Sequence, residues 1–323
     1  MTEDSAVSAD ARRQLVELSR ELGRPDRAWA VLAEGNTSVA VDEGRMLVKA
    51  SGASMAVAEP ADFVPVRVAD VLALVDAPDS AGAGASVGRD AGAAGAGDGA
   101  APGASAGAAS GAPGESESSA AGDEAVRALF ATASTGGRRP SVEALLHAVC
   151  LDLPGVEAVG HTHPIAVNAL LCSPRASLLV EGSLFPDQIV VLGTDPLLVP
   201  YIDPGLKLAR AVRRMLLERV RTTGRVPKVV YLQNHGMFAL GASPAEVLQI
   251  TEMAVKVAEV IVGSLAAGGP VFLSAADVAR IDTRPDELLR REALSAASAS
   301  AGSASAAPSA ASSGEPQPNG ASA

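Results

Sequence analysis

The chain carries four histidines, and each sits among residues that could give it a chemical role. His161-Thr162-His163 closes a strand candidate, Val156 to His161, and Pro164 stops that strand beside them. Residues two apart on a strand point to one face, so both imidazoles can reach a single ion. A third imidazole, His235, follows a second strand candidate, Lys228 to Leu232, within Asn234-His235-Gly236. Gly236 would let the backbone turn closely beside a bound ion. Three histidines leave coordination positions open to a substrate, which is the pattern of a catalytic rather than a structural zinc. Spacing alone does not bring the three together, and taken singly His235 also reads as a satisfied buried histidine.

Glu143 and His147 lie four apart in a helix expected to open at Pro140-Ser141, with Ser141 as N-cap, and to run through Leu151. They therefore share a helical face. Glu143 reads as a metal ligand, a general base, or an ordinary first-turn acid favoured by the helix dipole. His147 reads as a partner behind the site or, preferably, as a core histidine. Gly35-Asn36-Thr37-Ser38 and Ser51-Gly52 flank a predicted hairpin, and Lys49 adds one charge nearby. Small residues with free backbone N–H groups and hydroxyls can cradle a phosphate, although the same residues serve any turn.

These groups need a frame. The predicted hairpin runs Thr37 to Val41 and Arg45 to Lys49 about an Asp42-Glu43-Gly44 turn, and a helix over Arg12 to Leu22 precedes it with Leu15, Leu18 and Leu22 on one stripe. Gln188 to Leu192 reads as a further strand. Pro204 to Thr222 reads as a basic amphipathic helix whose charges form a solvated face. Ser243-Pro244-Ala245-Glu246 is a capping box with proline at the first helical position, opening a helix to about Leu265. Strands and helices alternate irregularly, without a GxGxxG turn or a P-loop, which suggests a layered α/β domain that does not bind nucleotides. Residues from about 77 to 122 and from 293 to 323 are almost wholly Ala, Gly, Ser and Pro, with scattered acids in the first stretch. They lack the large apolar side chains that offset ordering entropy. They read as a disordered loop insertion and a disordered tail, leaving one domain over 10–292.

The formal net charge of −11 argues against nucleic-acid or anionic-membrane partners, which require a basic face. No stretch reaches the roughly 18 consecutive apolar residues of a membrane span, and the amino terminus lacks a signal-peptide core. Cys150 and Cys172 lie in no paired motif and read as reduced, half-buried thiols of a cytoplasmic protein.

Taken in order, these segments resemble the class II aldolase/adducin family. The resemblance rests on Gly35-Asn36-Thr37-Ser38, Val48-Lys49-Ala50-Ser51-Gly52, Arg139-Pro140-Ser141-Val142-Glu143 with His147, His161-Thr162-His163-Pro164 and Gln233-Asn234-His235-Gly236. It extends, through Pro200 to Gly205, to the aldolase part of rhamnulose-phosphate aldolase/alcohol dehydrogenase proteins. It implies a three-layer α/β/α domain around a mainly antiparallel sheet, commonly assembled as a tetramer with the active site at a subunit interface. It further implies that His161, His163 and His235 bind Zn2+ or another divalent ion and that Glu143 is the acid/base, ligating the metal when substrate is absent. Asn36, Ser51, Gly52 and Ser141 would line a phosphate pocket. The implied reaction is retro-aldol cleavage of a phosphorylated sugar or sugar acid through a metal-stabilised enediolate. Epimerisation, decarboxylation or dehydration at the same site, and an adducin-like binding module without catalysis, are the alternatives. Two departures stand out: Val142 occupies the place of a second phosphate-binding serine, and neither Tyr201 nor Tyr231 sits where family aldolases carry catalytic tyrosines.

Overall fold

The protein is described here from a computed structural model, in which residues 3–41, 44–78, 113–134 and 136–304 are placed. The hairpin forms as its alternation predicts: β1 (Asn36–Val41) pairs antiparallel with β2 (Arg45–Lys49), Ser38 opposite Val48 and Val41 opposite Arg45. Asp42 and Glu43 of its turn lie outside the described residues. Joined to these are β3 (Phe63–Arg67), β4 (Ala158–Thr162), β5 (Leu197–Val199), β6 (Val229–Leu232) and β7 (Gly236–Gly241). The seven-stranded sheet has the order β3-β2-β1-β4-β7-β6-β5. Only the β5–β6 pair is parallel, so the sheet is mainly antiparallel, as expected.

Helices cover both faces, because every residue of β4, β6 and β7 is buried and a strand buried on both sides must be packed on both sides. On one face α1 (Glu3–Leu22), α5 (Ile165–Leu171), α6 (Pro186–Leu192) and α8 (Pro244–Leu265) bury Leu15, Leu170, Leu192 and Ile250 with Ala158 and Met237 of the sheet. On the other, α2 (Val68–Asp76), α3 (Pro113–Thr132), α4 (Ala144–Leu151) and α7 (Leu206–Thr223) bury Val71, Phe130, Leu145 and Val212 with Val159 and Phe238. The result is the expected three-layer α/β/α domain. It is followed by α9 (Ala275–Thr283) and α10 (Pro285–Ala304).

Several sequence expectations are corrected. Gln188 to Leu192 is not a strand but the body of α6, with Pro186 in its first turn and Gly193 just past its end at φ 72°. A short β-branched run has no period that separates strand from buried helix, and here the flanking proline and glycine decide it. The helix expected from Pro140 begins only at Ala144, so Glu143, not Ser141, stands at its N-cap. α3 starts at Pro113 and α10 continues to Ala304, inside both segments read as unstructured. Alanine, the best helix former, is the commonest residue of the α10 stretch, and Glu115 and Glu117 join it in α3. The remainder, residues 79–112 and 305–323, lies outside the described residues. The cysteines are free but not half-buried: Cys150 is in the core and Cys172 is exposed. Burial pushes the Cys150 thiol up to about 12, which makes it inert at neutral pH.

The capping box at Ser243 forms in part. Ser243 Oγ accepts from Glu246 N at 3.2 Å, while Glu246 reaches back to Ala242 N at 2.7 Å. At the end of α2 the carbonyls are held from outside: Arg210 of α7 donates to Val75 O at 3.0 Å and to Ala77 O at 2.7 Å.

Candidate metal and substrate site

His161 stands on β4 directly between Asn36 of β1 and Phe238 of β7. Strand alternation turns it to the same face as Val159, the face that α4 covers. Phe238 stacks on its ring, centroids 4.1 Å apart and planes 15° from parallel. Glu143, on the turn that leads into α4, is thereby carried over His161.

The spacing argument for His161 and His163 is realised in the geometry: their Nε2 atoms approach to 2.9 Å. His235 joins them from the β6–β7 connection, where Asn234 adopts φ 57°, a left-handed conformation that asparagine tolerates better than most residues. Glu143 Oε1 lies 3.3 Å from His161 Nε2 and 3.2 Å from His235 Nε2. One ligand atom from each of the four residues falls within 4.8 Å of all the others. Gly236 does permit a close approach, but to the His163 ring: a Cβ there would meet His163 Cδ2 at 2.5 Å. Gly35, at φ 73° and with a built Cβ 2.9 Å from His161 O, plays the same part on the other side of the strand.

The outer ring nitrogens decide whether this cluster suits a cation. His161 Nδ1 lies 2.9 Å from Met237 O, and a carbonyl can only accept, so that nitrogen carries the hydrogen. His163 Nδ1 lies 3.2 Å from Glu34 Oε2, again an acceptor when ionised. With hydrogen on both Nδ1 atoms, the two Nε2 atoms face each other, and when both rings are neutral only lone pairs stand between them. Lone pairs at that separation repel unless a proton or metal ion stands among them. Neutral imidazoles backed by an acceptor on the second nitrogen are the usual histidine ligands of metals, so the residues present fit a divalent ion.

Electrostatics agree. Burial opposes ionisation of Glu143, but His161, by charge and hydrogen bond, and then His235 outweigh it and hold the carboxyl well below the usual carboxylate range. Burial, then the charge of His161, lowers His163 to about 4, with Glu34 pulling the other way. His147 is fully buried, with Nδ1 2.7 Å from Ser38 Oγ and Nε2 without a partner. Burial and then His161 lower it to about 3, so it remains the neutral core histidine that the sequence suggested.

The expected phosphate residues divide into two groups. Asn36 meets Glu143 directly, Nδ2 donating to Oε2, and its Oδ1 is buried without a partner. Ser51 and Gly52 form an exposed turn beside the segment that carries Ser141: Ala50 bridges Pro140, and Ser51 N donates to Arg139 O at 2.9 Å. Ser141 Oγ accepts from Glu143 N at 3.4 Å. Lys49 is buried rather than presented to solvent, and its Nζ donates to Ala53 O at 2.5 Å. Burial, only partly offset by Glu143, lowers it to about 8. Sequence reasoning missed Glu34, whose only signal was its place immediately before Gly35-Asn36. No tyrosine joins the cluster among these contacts: Tyr231 is buried in the core, and the Tyr201 hydroxyl donates to Asp203 at 2.8 Å.

Residues 13–262 match the sequence model of the class II aldolase and adducin N-terminal domain. Comparison with curated protein sequences finds no match. Among solved structures, YgbL of Klebsiella pneumoniae, for which aldolase, epimerase and decarboxylase activities have been suggested, superposes with a TM-score of 0.56 at 18% identity. That alignment covers 85% of this chain and 99% of the other. An L-fuculose 1-phosphate aldolase gives 0.55 at 17%, covering 85% and 95%. An aldolase II superfamily protein of Pseudomonas syringae gives 0.53 at 14%, covering 92% and 94%. At such identities these likenesses speak for the fold. Among the described residues, no helix is long and apolar enough to cross a membrane.

Proposed function

Because the chain belongs to the class II aldolase and adducin family, we propose that it is a divalent-metal-dependent lyase that cleaves a phosphorylated sugar or sugar acid by retro-aldol chemistry. The observation that carries this reading is the convergence of His161, His163, His235 and Glu143 within 4.8 Å, with Nε2 of the first two rings 2.9 Å apart. The three histidines would hold the ion. When bound, Zn2+ or a similar ion supplies a Lewis acid for the substrate carbonyl and for the negative charge that develops as the carbon–carbon bond breaks.

The proton balance falls to Glu143. Cleavage takes a proton from the hydroxyl that becomes the aldehyde and returns one to the carbon left behind. As a carboxylate Glu143 would start as the acceptor and then donate what it has taken, acting at both ends of the step. That double duty accords with the absence of a tyrosine from the cluster. Asn36 Nδ2 fixes Oε2 of Glu143, which leaves Oε1 to face the histidines and the reacting atoms. Ser51, Gly52 and Ser141 would bind the phosphate through hydroxyls and backbone N–H groups on the adjoining turn. The substrate is thus a small sugar phosphate, and the site is that of a homo-oligomeric cytoplasmic enzyme of carbohydrate metabolism.

Metal analysis and a substrate screen test the reading together. About one zinc-like ion per chain, absent from a His161→Ala/His163→Ala variant, with release of an aldehyde from a sugar phosphate, is the expected result. Metal without cleavage but with epimer, CO2 or dehydrated product would move the assignment to those chemistries. A wild-type protein that takes up no divalent ion even after reconstitution would overturn the enzyme reading in favour of a binding module.

A further inference from the structure

We infer that Glu34 is a positioning residue: it holds the His163 ring with hydrogen on Nδ1, so that the Nε2 lone pair faces His161 and His235. The proposal rests on the reading of His163 as a metal ligand, and its own observation lies in the loop over residues 27–35.

Both carboxylate oxygens of Glu34 are committed. Oε1 accepts from Val31 N at 2.6 Å, and Oε2 lies 3.2 Å from His163 Nδ1. The first bond aims the carboxylate; the second selects the tautomer. The same loop also grips the His163 backbone, whose N–H donates to Trp29 O at 2.7 Å. The loop is pinned in turn, with the Arg27 guanidinium 4.6 Å from the Trp29 ring centroid and 2.8 Å from Glu252 of α8. Main-chain and side-chain grips on one residue fix both where the ring is and which way it turns.

The backbone of this loop is unusual. Ala28 and Leu32 adopt φ 50° and 58°, and Gly35 follows at 73°. An L-residue in the left-handed region costs on the order of 1 kcal/mol. Such conformations persist only where surrounding contacts over-determine them, and they gather at functional sites. Leu32 is 87% exposed, so apolar burial does not repay its conformation. The Val31 and Glu34 contacts on either side of it do. A carboxylate behind a histidine ligand also raises the basicity of the ligating nitrogen, and losing such a partner typically weakens metal binding by 10–100-fold.

Ring-nitrogen NMR of the metal-free full chain reads the tautomer directly, with the His163 signals identified by their loss in His163→Gln. In the wild type His163 carries hydrogen on Nδ1. Glu34→Ala should give a mixture of tautomers and a zinc dissociation constant raised about 10–100-fold in competition with a chelator, while the metal-free protein stays folded with a melting temperature lowered only by loss of the Val31 contact. Glu34→Gln, which keeps an accepting oxygen, should retain the tautomer and most of the affinity. Should alanine open the loop, Glu34→Met fills similar volume without an acceptor and should reproduce both losses. Wild-type tautomer and zinc affinity in the variants that lack the acceptor would overturn the proposal. A wild type that binds no zinc, yet whose His163 tautomer responds to Glu34→Ala, would sink the metal reading and leave the positioning role standing.

Discussion

Two charged clusters stand at the two ends of β6. Before the strand, Lys228 meets Glu246 at 2.7 Å, and Arg225 and Arg291 share Asp282 at 2.7 and 3.0 Å. After it, His235 leads into the imidazole and carboxylate cluster. In the first cluster every charge is answered by its opposite. Burial opposes ionisation of Asp282, yet Arg225 and then Arg291 hold its carboxyl below the usual range. In the second, three imidazoles and one carboxylate converge, and the Nε2 atoms of His161 and His163 stand 2.9 Å apart. A cluster complete in itself is a staple, here tying α9 and α10 to the sheet. A convergence of imidazoles on one carboxylate, with no fixed cation such as arginine or lysine among the four, is instead a group that could hold a metal ion.

The contrast can be broken experimentally, and the largest effect is expected at the histidines. His161→Ala should reduce bound metal to background and turnover by about 10³-fold or more, since the Lewis acid supplies several kcal/mol. Metal analysis beside a product assay checks it, and retained metal would remove His161 from the ligand set. Glu143→Gln comes next: it should keep the metal and lose about 10²–10⁴-fold in turnover. A fully active Glu143→Gln protein would end the acid/base assignment.

The third test uses acid. His147 and His163 have folded values of about 3 and 4 against an ordinary 6.5. Between those limits the unfolded chain binds more protons than the folded one, so stability rises with pH there and is lost as pH falls from 6.5 toward 4. His147→Gln should flatten that slope in the metal-free protein by up to about 1.4 kcal/mol per pH unit, measured by denaturant titration at several pH values. An unchanged slope would mean that His147 is not the buried neutral group described. The staple behaves differently: Asp282, with its value depressed, gives stability present above the ordinary carboxylate range and lost only as pH falls below it. Asp282→Asn should accordingly cost about 1 kcal/mol, because its guanidinium partners are partly solvated. Metal content and turnover should stay unchanged, and a loss of either would join the two clusters functionally.

Much of this was legible in the chain because short-range rules govern it. His161 and His163 obey the two-residue period of a strand. Ser243 and Pro244 mark a helix start by their own chemistry. What failed was whatever depends on partners distant in sequence. β7, Gly-Met-Phe-Ala-Leu-Gly, is buried on both faces and so shows no alternation, and it lacks the β-branched residues that flag a strand. Residues 188–192 carry such residues and are nevertheless helical. Glu34 was invisible because a loop acid looks like any other until the fold brings it against a histidine 129 positions away. Asn36 was expected to line a phosphate pocket, whereas its contact with Glu143 follows from the backbone pairing that sets it beside His161 in the assembled sheet.

One contact on the far side of the sheet has a practical use. Arg210 clamps the last carbonyls of α2 just where the chain departs toward residue 79. These bonds tie the end of α2 to α7 at the point where the chain leaves it. The segment after Ala77 is therefore the natural place to graft a fluorophore, an affinity handle or a second protein. Cargo carried there would lie at the opposite end of α2 from β3 and should leave the histidine cluster undisturbed.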